Sequence, residues 1–340
     1  MNRVTGILGA MITALGVLAG CASADPVGSV TDSPEAPVGS SGKLLVYASF
    51  YPMYDFAAKI GGDRIELNIV VPTGSDPHDW EPTPVLIAGL EKAEVLIYNG
   101  AGMEHWVDTV LTSLQNKNLI VVETAADIPL LEDTHSHAAV IDRNQNYGHE
   151  HGQEHDDPDD QNHDGCEFDS HTWLNPQYAK KQMALIKSAF TTADPDNSDY
   201  YEANYDYYAT ELDKLDAEYK EALASLKNKV IVVSHEAYGY LCDAYGLVQV
   251  GIMGLQPDAE PTPARMAEVI DLVKAYNVGT IFFEKLAGPR VAEVIADATG
   301  AEVAALSPLE GLTETEIAEG DDYFSVMRKN LEALKKALES

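Results

Sequence analysis

Lys43-Leu44-Leu45-Val46-Tyr47-Ala48-Ser49 decides the fold, because it returns as Lys229-Val230-Ile231-Val232-Val233-Ser234-His235 in the same pattern and length. Each is a short apolar run of the kind that forms a buried strand. A second pair keeps the same order. Glu81-Pro82-Thr83-Pro84 and Glu260-Pro261-Thr262-Pro263 each open an apolar helical segment, with Thr placed as N-cap and Pro as first helical residue. Further apolar runs at 65–71, 95–98, 119–122 and 280–283 alternate with helical patterns, which predicts parallel sheets built from βα units. A body of about 300 residues also exceeds what one core usually organises, so two domains are expected.

Between the halves, Tyr201, Tyr205, Tyr208, Leu212, Leu215, Tyr219, Leu223 and Leu226 recur at steps of three and four with charged residues between them. That spacing is an amphipathic helix. At 1.5 Å per residue it would run about 40 Å, enough to serve both halves as a stiff connector. The expected fold is therefore α/β: an N-terminal lobe at 43–190 and a C-terminal lobe at 228–340, each with a central, mostly parallel sheet flanked by helices. One long rigid linker helix within 191–227 joins them.

The N-terminus speaks to compartment. Residues 1–20 run from Met-Asn-Arg into an apolar stretch that ends Leu18-Ala19-Gly20 before Cys21. About 16 apolar residues are short for a membrane span, and the pattern reads as a lipoprotein signal peptide with cleavage and lipidation at Cys21. Residues 21–42, rich in Ser, Pro, Gly and Ala, read as a flexible tether about 25 Å long. The folded body is expected at the extracytoplasmic face of a bacterial membrane, held there by lipid. A net charge of −33 repels phosphate and excludes nucleic acid as a natural partner. Beyond Cys21 the chain has only Cys166 and Cys242, which an exported protein could pair as a disulfide.

Chemistry concentrates in the histidines. From Glu132 to Asp169 the chain carries His135, His137, His149, His151, His155 and His163 among twelve acidic residues, with Arg143 its only basic one. Such a stretch attracts divalent cations, but without secondary-structure period it offers weak, exchanging coordination. It is read as an auxiliary collector. Three other histidines sit in sequence able to fix them. His78 lies between Pro77 and Pro82 on a strand-to-helix loop, and His235 ends the run Val230–Ser234. His171 stands where the acidic stretch gives way to Trp173-Leu174-Asn175-Pro176, and all three are read as equivalent strand-end positions. In open α/β sheets ligands bind beyond the carboxyl ends of strands. Three imidazoles plus a carboxylate or water fill the four-coordinate sphere of zinc. His105, on an amphipathic helix, reads as packing or surface, while Asp169 and Glu236 flank ligands and could orient their imidazoles.

Asp76-Pro77-His78-Asp79-Trp80-Glu81-Pro82-Thr83-Pro84, Asp169-Ser170-His171-Thr172-Trp173-Leu174-Asn175-Pro176 and Val233-Ser234-His235-Glu236-Ala237-Tyr238-Gly239-Tyr240 together resemble the signature segments of ZnuA-like metal-binding proteins. These are the solute-binding lipoproteins of zinc and manganese ABC importers. The resemblance extends over 43–340 and includes Ser307-Pro308-Leu309-Glu310-Gly311-Leu312. It implies two α/β lobes bridged by a long helix, a metal at their interface, and as partners a membrane permease with its cytoplasmic ATPase. It also implies a monomer that performs no catalysis.

Carried across, the family's ligands fall on His78, His171 and His235. Many relatives place an aspartate where this chain has Ser307, whereas zinc-type relatives use the glutamate of Pro-Leu-Glu, here Glu310; Glu284 is the substitute. Three histidines with one carboxylate favour zinc over manganese, the harder ion. Two rivals from other classes are a zinc hydrolase and a surface adhesin that uses metal structurally. The hydrolase has no His-Glu-x-x-His pair and no Gly-x-Ser-x-Gly elbow to support it.

Overall fold

The first echoed run forms β1 (Leu44–Ala48) and the second forms β5 (Val230–Val233), at matching places in two sheets. The computed structural model describes residues 42–132, 168–255 and 260–339, all within one compact unit that spans 41–340. The signal segment, the tether up to residue 41, and the acidic stretch from 133 to 167 lie outside the described residues. So do Cys21, Cys166 and the auxiliary histidines His135, His137, His149, His151, His155 and His163.

The first sheet adds β2 (Ile65–Ile69), β3 (Val95–Tyr98) and β4 (Ile120–Glu123) in the order β2-β1-β3-β4. The second adds β6 (Val248–Gly251), β7 (Thr280–Phe283) and β8 (Glu302–Ala305) in the order β6-β5-β7-β8. Every ladder is parallel, with β1 opposite β2 from Leu44↔Ile65 and β5 opposite β6 from Val230↔Val248. Identical strand order is the physical form of the repeated plan. Parallel neighbours require crossovers, and helices supply them.

In the first half these are α1 (Tyr51–Gly61), α2 (Pro84–Leu90) and α3 (Val107–Ser113). In the second they are α6 (Gly239–Tyr245), α7 (Pro263–Ala275) and α8 (Arg290–Thr299); past β8 the chain adds α9 (Glu314–Glu319) and the terminal α10 (Tyr323–Glu339). The two Thr-Pro starts behave as read: Thr83 Oγ1 accepts from Leu86 N–H at 3.3 Å and Thr262 Oγ1 from Arg265 N–H at 3.2 Å. Each satisfies one orphan donor of its helix.

Between the sheets run α4 (Pro176–Ala193) and the long α5 (Ser198–Ala224), the 27-residue helix that the tyrosine and leucine spacing predicts. Its buried face is Tyr201, Ala209, Leu212, Leu215, Asp216, Tyr219 and Leu223, packed against α1, α4 and α10. Its Tyr219 hydroxyl donates to the Met327 carbonyl of α10 at 2.6 Å. The largest apolar core does not stop at either sheet. It runs from Val46 and Phe56 through Trp173 and Leu212 to Val233, Tyr323 and Leu334. Among the described residues, no helix is long and apolar enough to cross a membrane.

Candidate metal centre

Four loops deliver side chains to one point. His78 lies on the β2–α2 connection, where its backbone N–H donates to Asp76 Oδ1 at 2.9 Å and closes a turn in the chain between prolines. Trp80, just beyond, packs edge-on against Trp106 at 5.7 Å and anchors that loop on the first sheet. His235 follows β5 directly, at a strand's carboxyl end as read.

His171 does not sit at a strand end. It comes at the far side of the β4–α4 connection, ahead of a short 3-10 turn (Thr172–Leu174) and the Asn175 cap of α4. Its place is fixed by Asp169, whose Oδ1 accepts both the His171 backbone N–H at 2.9 Å and the ring Nδ1–H at 2.8 Å.

Glu310 arrives from the β8–α9 connection. Leu309 before it takes a positive φ of 63°, an uncommon conformation for a branched side chain, and the surroundings hold it there. The Trp173 indole N–H donates to the Pro308 carbonyl at 2.7 Å, and Ser307 Oγ accepts from Leu309 N–H at 3.1 Å. Asn330 of α10 clasps Ser307 by its backbone N–H and carbonyl at 2.9 and 2.7 Å.

Glu310 Oε1 then lies 3.2 Å from His78 Nε2, 2.9 Å from His171 Nε2 and 3.3 Å from His235 Nε2. The Nε2 atoms of His171 and His235 are 3.3 Å apart. A tetrahedral zinc with bonds near 2.0–2.1 Å requires its ligand atoms to be about 3.3–3.4 Å from one another. The four groups are all buried and their ligating atoms fall within 4.8 Å of each other, so this donor set suits such an ion.

The imidazoles are oriented from behind. Asp169 takes the Nδ1–H of His171, and Glu284, at the end of β7, takes that of His235 at 2.6 Å. With Nδ1 engaged, each Nε2 faces the common point. Burial alone would lower the pKa of both rings, but Asp169 and Glu310 outweigh it for His171, and Glu284 and Glu310 outweigh it strongly for His235, so both are raised. Burial would likewise raise Glu310, yet the charges of His235 and His78 and its hydrogen bonds hold it well below the usual carboxylate range.

His78, His171, His235 and Glu310 are thus brought together, and Ser307 is turned to supporting the Glu310 loop. Glu284, read as the substitute ligand, stands behind His235 instead. Glu236 does not orient an imidazole: its backbone N–H donates to Gly254 and its carboxylate lies 3.9 Å from Arg265. His105 sits in the turn ahead of α3 rather than on a helix, exposed and 3.2 Å from Glu81. Cys242 is a buried, free thiol whose pKa burial pushes up, and its suggested partner Cys166 lies outside the described residues. Trp173 and its bond to Pro308 carried no signal in sequence beyond membership of a motif.

His171 and His235 are fully enclosed, whereas Glu310 also borders a cavity of about 130 Å³ shared with Asp76, Glu284, Lys285 and Leu286. None of the three histidines lines that cavity, so Glu310 is the member of the cluster that meets it.

Residues 46–337 match the family model described as zinc-uptake complex component A, periplasmic. The high-affinity zinc uptake system protein ZnuA of Bacillus subtilis (strain 168) is 35% identical over 297 residues, covering 87% of this chain and 88% of that protein. The zinc-binding lipoprotein AdcA of Streptococcus pneumoniae is also 35% identical over 297 residues, but this chain spans 56% of its length. The crystal structure of the Zn(II)-bound ZnuA-like domain of AdcA superposes with a TM-score of 0.72 at 33% identity, covering 88% of this chain and 100% of that one. The laminin-binding protein Lmb of Streptococcus agalactiae, described as bifunctional with adhesin and metal-transporting activity, gives 0.72 at 29% identity, covering 87% and 99%.

Proposed function

Because the chain belongs to the ZnuA family of zinc-uptake components, we propose that it is the zinc-binding, solute-binding component of an ABC importer, which captures the ion between its lobes and passes it to the membrane permease. The observation that carries this reading is the buried convergence of His78, His171, His235 and Glu310 on one point. Zinc is cargo here. It sheds its waters at the carboxylate side, where Glu310 meets the cavity, and accepts three neutral imidazole Nε2 atoms and one carboxylate oxygen. Asp169 and Glu284 keep the Nδ1 protons of His171 and His235, so these rings need no reorientation as the ion enters.

Three nitrogens with one oxygen suit zinc better than manganese, which prefers carboxylate and water. Four protein ligands also complete the tetrahedron, whereas a hydrolytic zinc keeps an open position for water. The reading places the protein outside the cytoplasm and at the membrane, with Cys21 as its lipid anchor and a monomer as the working unit. It takes 43–190 and 228–340 as the enclosing lobes and 191–227 as the linker. The likeness to Lmb supports a second role in adhesion, checked by laminin binding to the zinc-loaded protein.

The test is to strip the full chain with a chelator, confirm by circular dichroism that the fold persists, and titrate it with zinc and with manganese. One tight zinc per chain, lost in His171→Ala, is expected. Unfolding on stripping, or tight zinc retained in His171→Ala, would overturn the reading.

A further inference from the structure

Immediately after His235, the segment Tyr238-Gly239-Tyr240 reaches the supports of two other members of the cluster. The Tyr238 hydroxyl donates to the Leu306 carbonyl at 2.9 Å, on the loop that carries Glu310. The Tyr240 hydroxyl donates to the Asp169 carbonyl at 2.9 Å and accepts the Leu131 N–H at 3.0 Å, pinning both ends of the segment that leads to His171. Between these tyrosines stands Gly239, the first residue of α6.

Gly239 is not there for its backbone, since its φ is outside the positive range that favours glycine. What it provides is space. A Cβ at this position would lie closer than 3.0 Å to Asp169 Oδ2, a separation that real Cβ atoms do not tolerate. Its other near neighbour, Gln249 Nε2, would be at an ordinary contact distance of 3.5 Å. The carboxylate that would have to move is the one whose Oδ1 holds both the backbone and the ring of His171. It has little room to retreat, because Asp169 is buried and its own carbonyl is held by Tyr240.

We propose that Gly239 is a positioning residue for the metal centre: its missing side chain makes the pocket in which Asp169 holds the His171 imidazole with Nε2 aimed at the ion. A residue of the second sheet's first helix thereby sets the aim of a ligand carried by the first half of the chain. The proposal rests on the zinc reading above and extends it to a residue that touches neither the ion nor a ligand.

The experiment is a cycle of Gly239→Ala, Asp169→Ala and the double variant in the full chain. Zinc affinity is read by competition with a chromophoric chelator, and thermal unfolding is read on the metal-free proteins. Gly239→Ala is expected to weaken zinc binding on the order of tenfold to a hundredfold, the usual effect of disturbing a ligand's hydrogen-bond partner. The metal-free unfolding midpoint should fall, because the new Cβ forces a buried carboxylate aside, and adding Asp169→Ala should relieve that loss. Once the carboxylate is gone the new Cβ meets only Gln249 at an ordinary contact distance, so the double variant should bind zinc as Asp169→Ala does alone.

Wild-type affinity in Gly239→Ala, or losses that multiply in the double variant, would overturn the proposal. Should Gly239→Ala not fold, adding Asp169→Ala must restore folding, and failure to do so overturns it equally. The zinc reading is tested separately by the wild-type titration, which precedes any glycine variant.

Discussion

Lowering the pH should weaken zinc binding steeply, and the structure gives the slope. His171 sits between two carboxylates, with Nδ1 2.8 Å from Asp169 and Nε2 2.9 Å from Glu310. His235 is placed likewise, between Glu284 at 2.6 Å and Glu310 at 3.3 Å. These carboxylates outweigh burial and raise both rings above the ordinary 6.5. A raised pKa means that protonation of the metal-free form sets in above that value as pH falls. Each such proton occupies the Nε2 that zinc needs, so affinity must drop as pH decreases through the raised pKa values. Glu310, held well below its ordinary 4.5, stays ionised over this range and adds nothing to the slope.

One displaced proton costs about 1.4 kcal/mol, or tenfold in Kd, for each unit of pH. Two displaced protons give about a hundredfold per unit where both rings are charged. Chelator competition at half-unit steps between about pH 5.5 and 8 measures the slope, and calorimetry in buffers of different ionisation heat counts the protons released. A Kd that stays constant across that window, with no proton release, would refute the reasoning.

Other consequences concern the supports and the core. Glu284→Ala removes the acceptor at His235 Nδ1 and should weaken zinc affinity about tenfold to a hundredfold, with Glu284→Gln milder; calorimetry showing wild-type affinity in the alanine variant would count against it. Deleting residues 133–165 should leave one tight zinc per chain and remove only weaker binding, and equilibrium dialysis that finds the tight site gone would return the histidine-rich stretch to the centre. Leu212 is fully buried in the core that joins both sheets, so Leu212→Ala should cost about 2–5 kcal/mol by denaturant unfolding. That unfolding should be one transition for the whole body; two separated transitions would contradict a shared core.

Much of this architecture can be read from local pattern. Val230–Val233 and Leu44–Ala48 are apolar runs of strand length, and Thr-Pro at 83–84 and 262–263 carries its own capping chemistry. His78 and His235 are legible for the same reason, because proline and strand end are local facts. What escapes the sequence is whatever depends on pairing across distance. Glu284 meets His235 only because β5 lies beside β7 through Val232↔Ile281, and nothing local distinguishes a ligand there from a carboxylate behind one.

The bond from Trp173 to Pro308 spans 135 residues, and the space Gly239 leaves for Asp169 is equally invisible along the chain. Chain length suggests two domains, yet the apolar residues of α5 and α10 merge much of the two halves' interior into one core. Asp169 and Glu236 both flank a ligand and both read as possible supports, yet only Asp169 meets its imidazole, while the carboxylate of Glu236 lies 3.9 Å from Arg265.

The most direct test of the account is diffraction from crystals of the zinc-loaded protein, with anomalous data collected on both sides of the zinc edge. One strong peak is predicted about 2.0–2.2 Å from Nε2 of His78, His171 and His235 and from Oε1 of Glu310. A principal peak elsewhere, or one at this point that leaves any of these four atoms unbound, would contradict it.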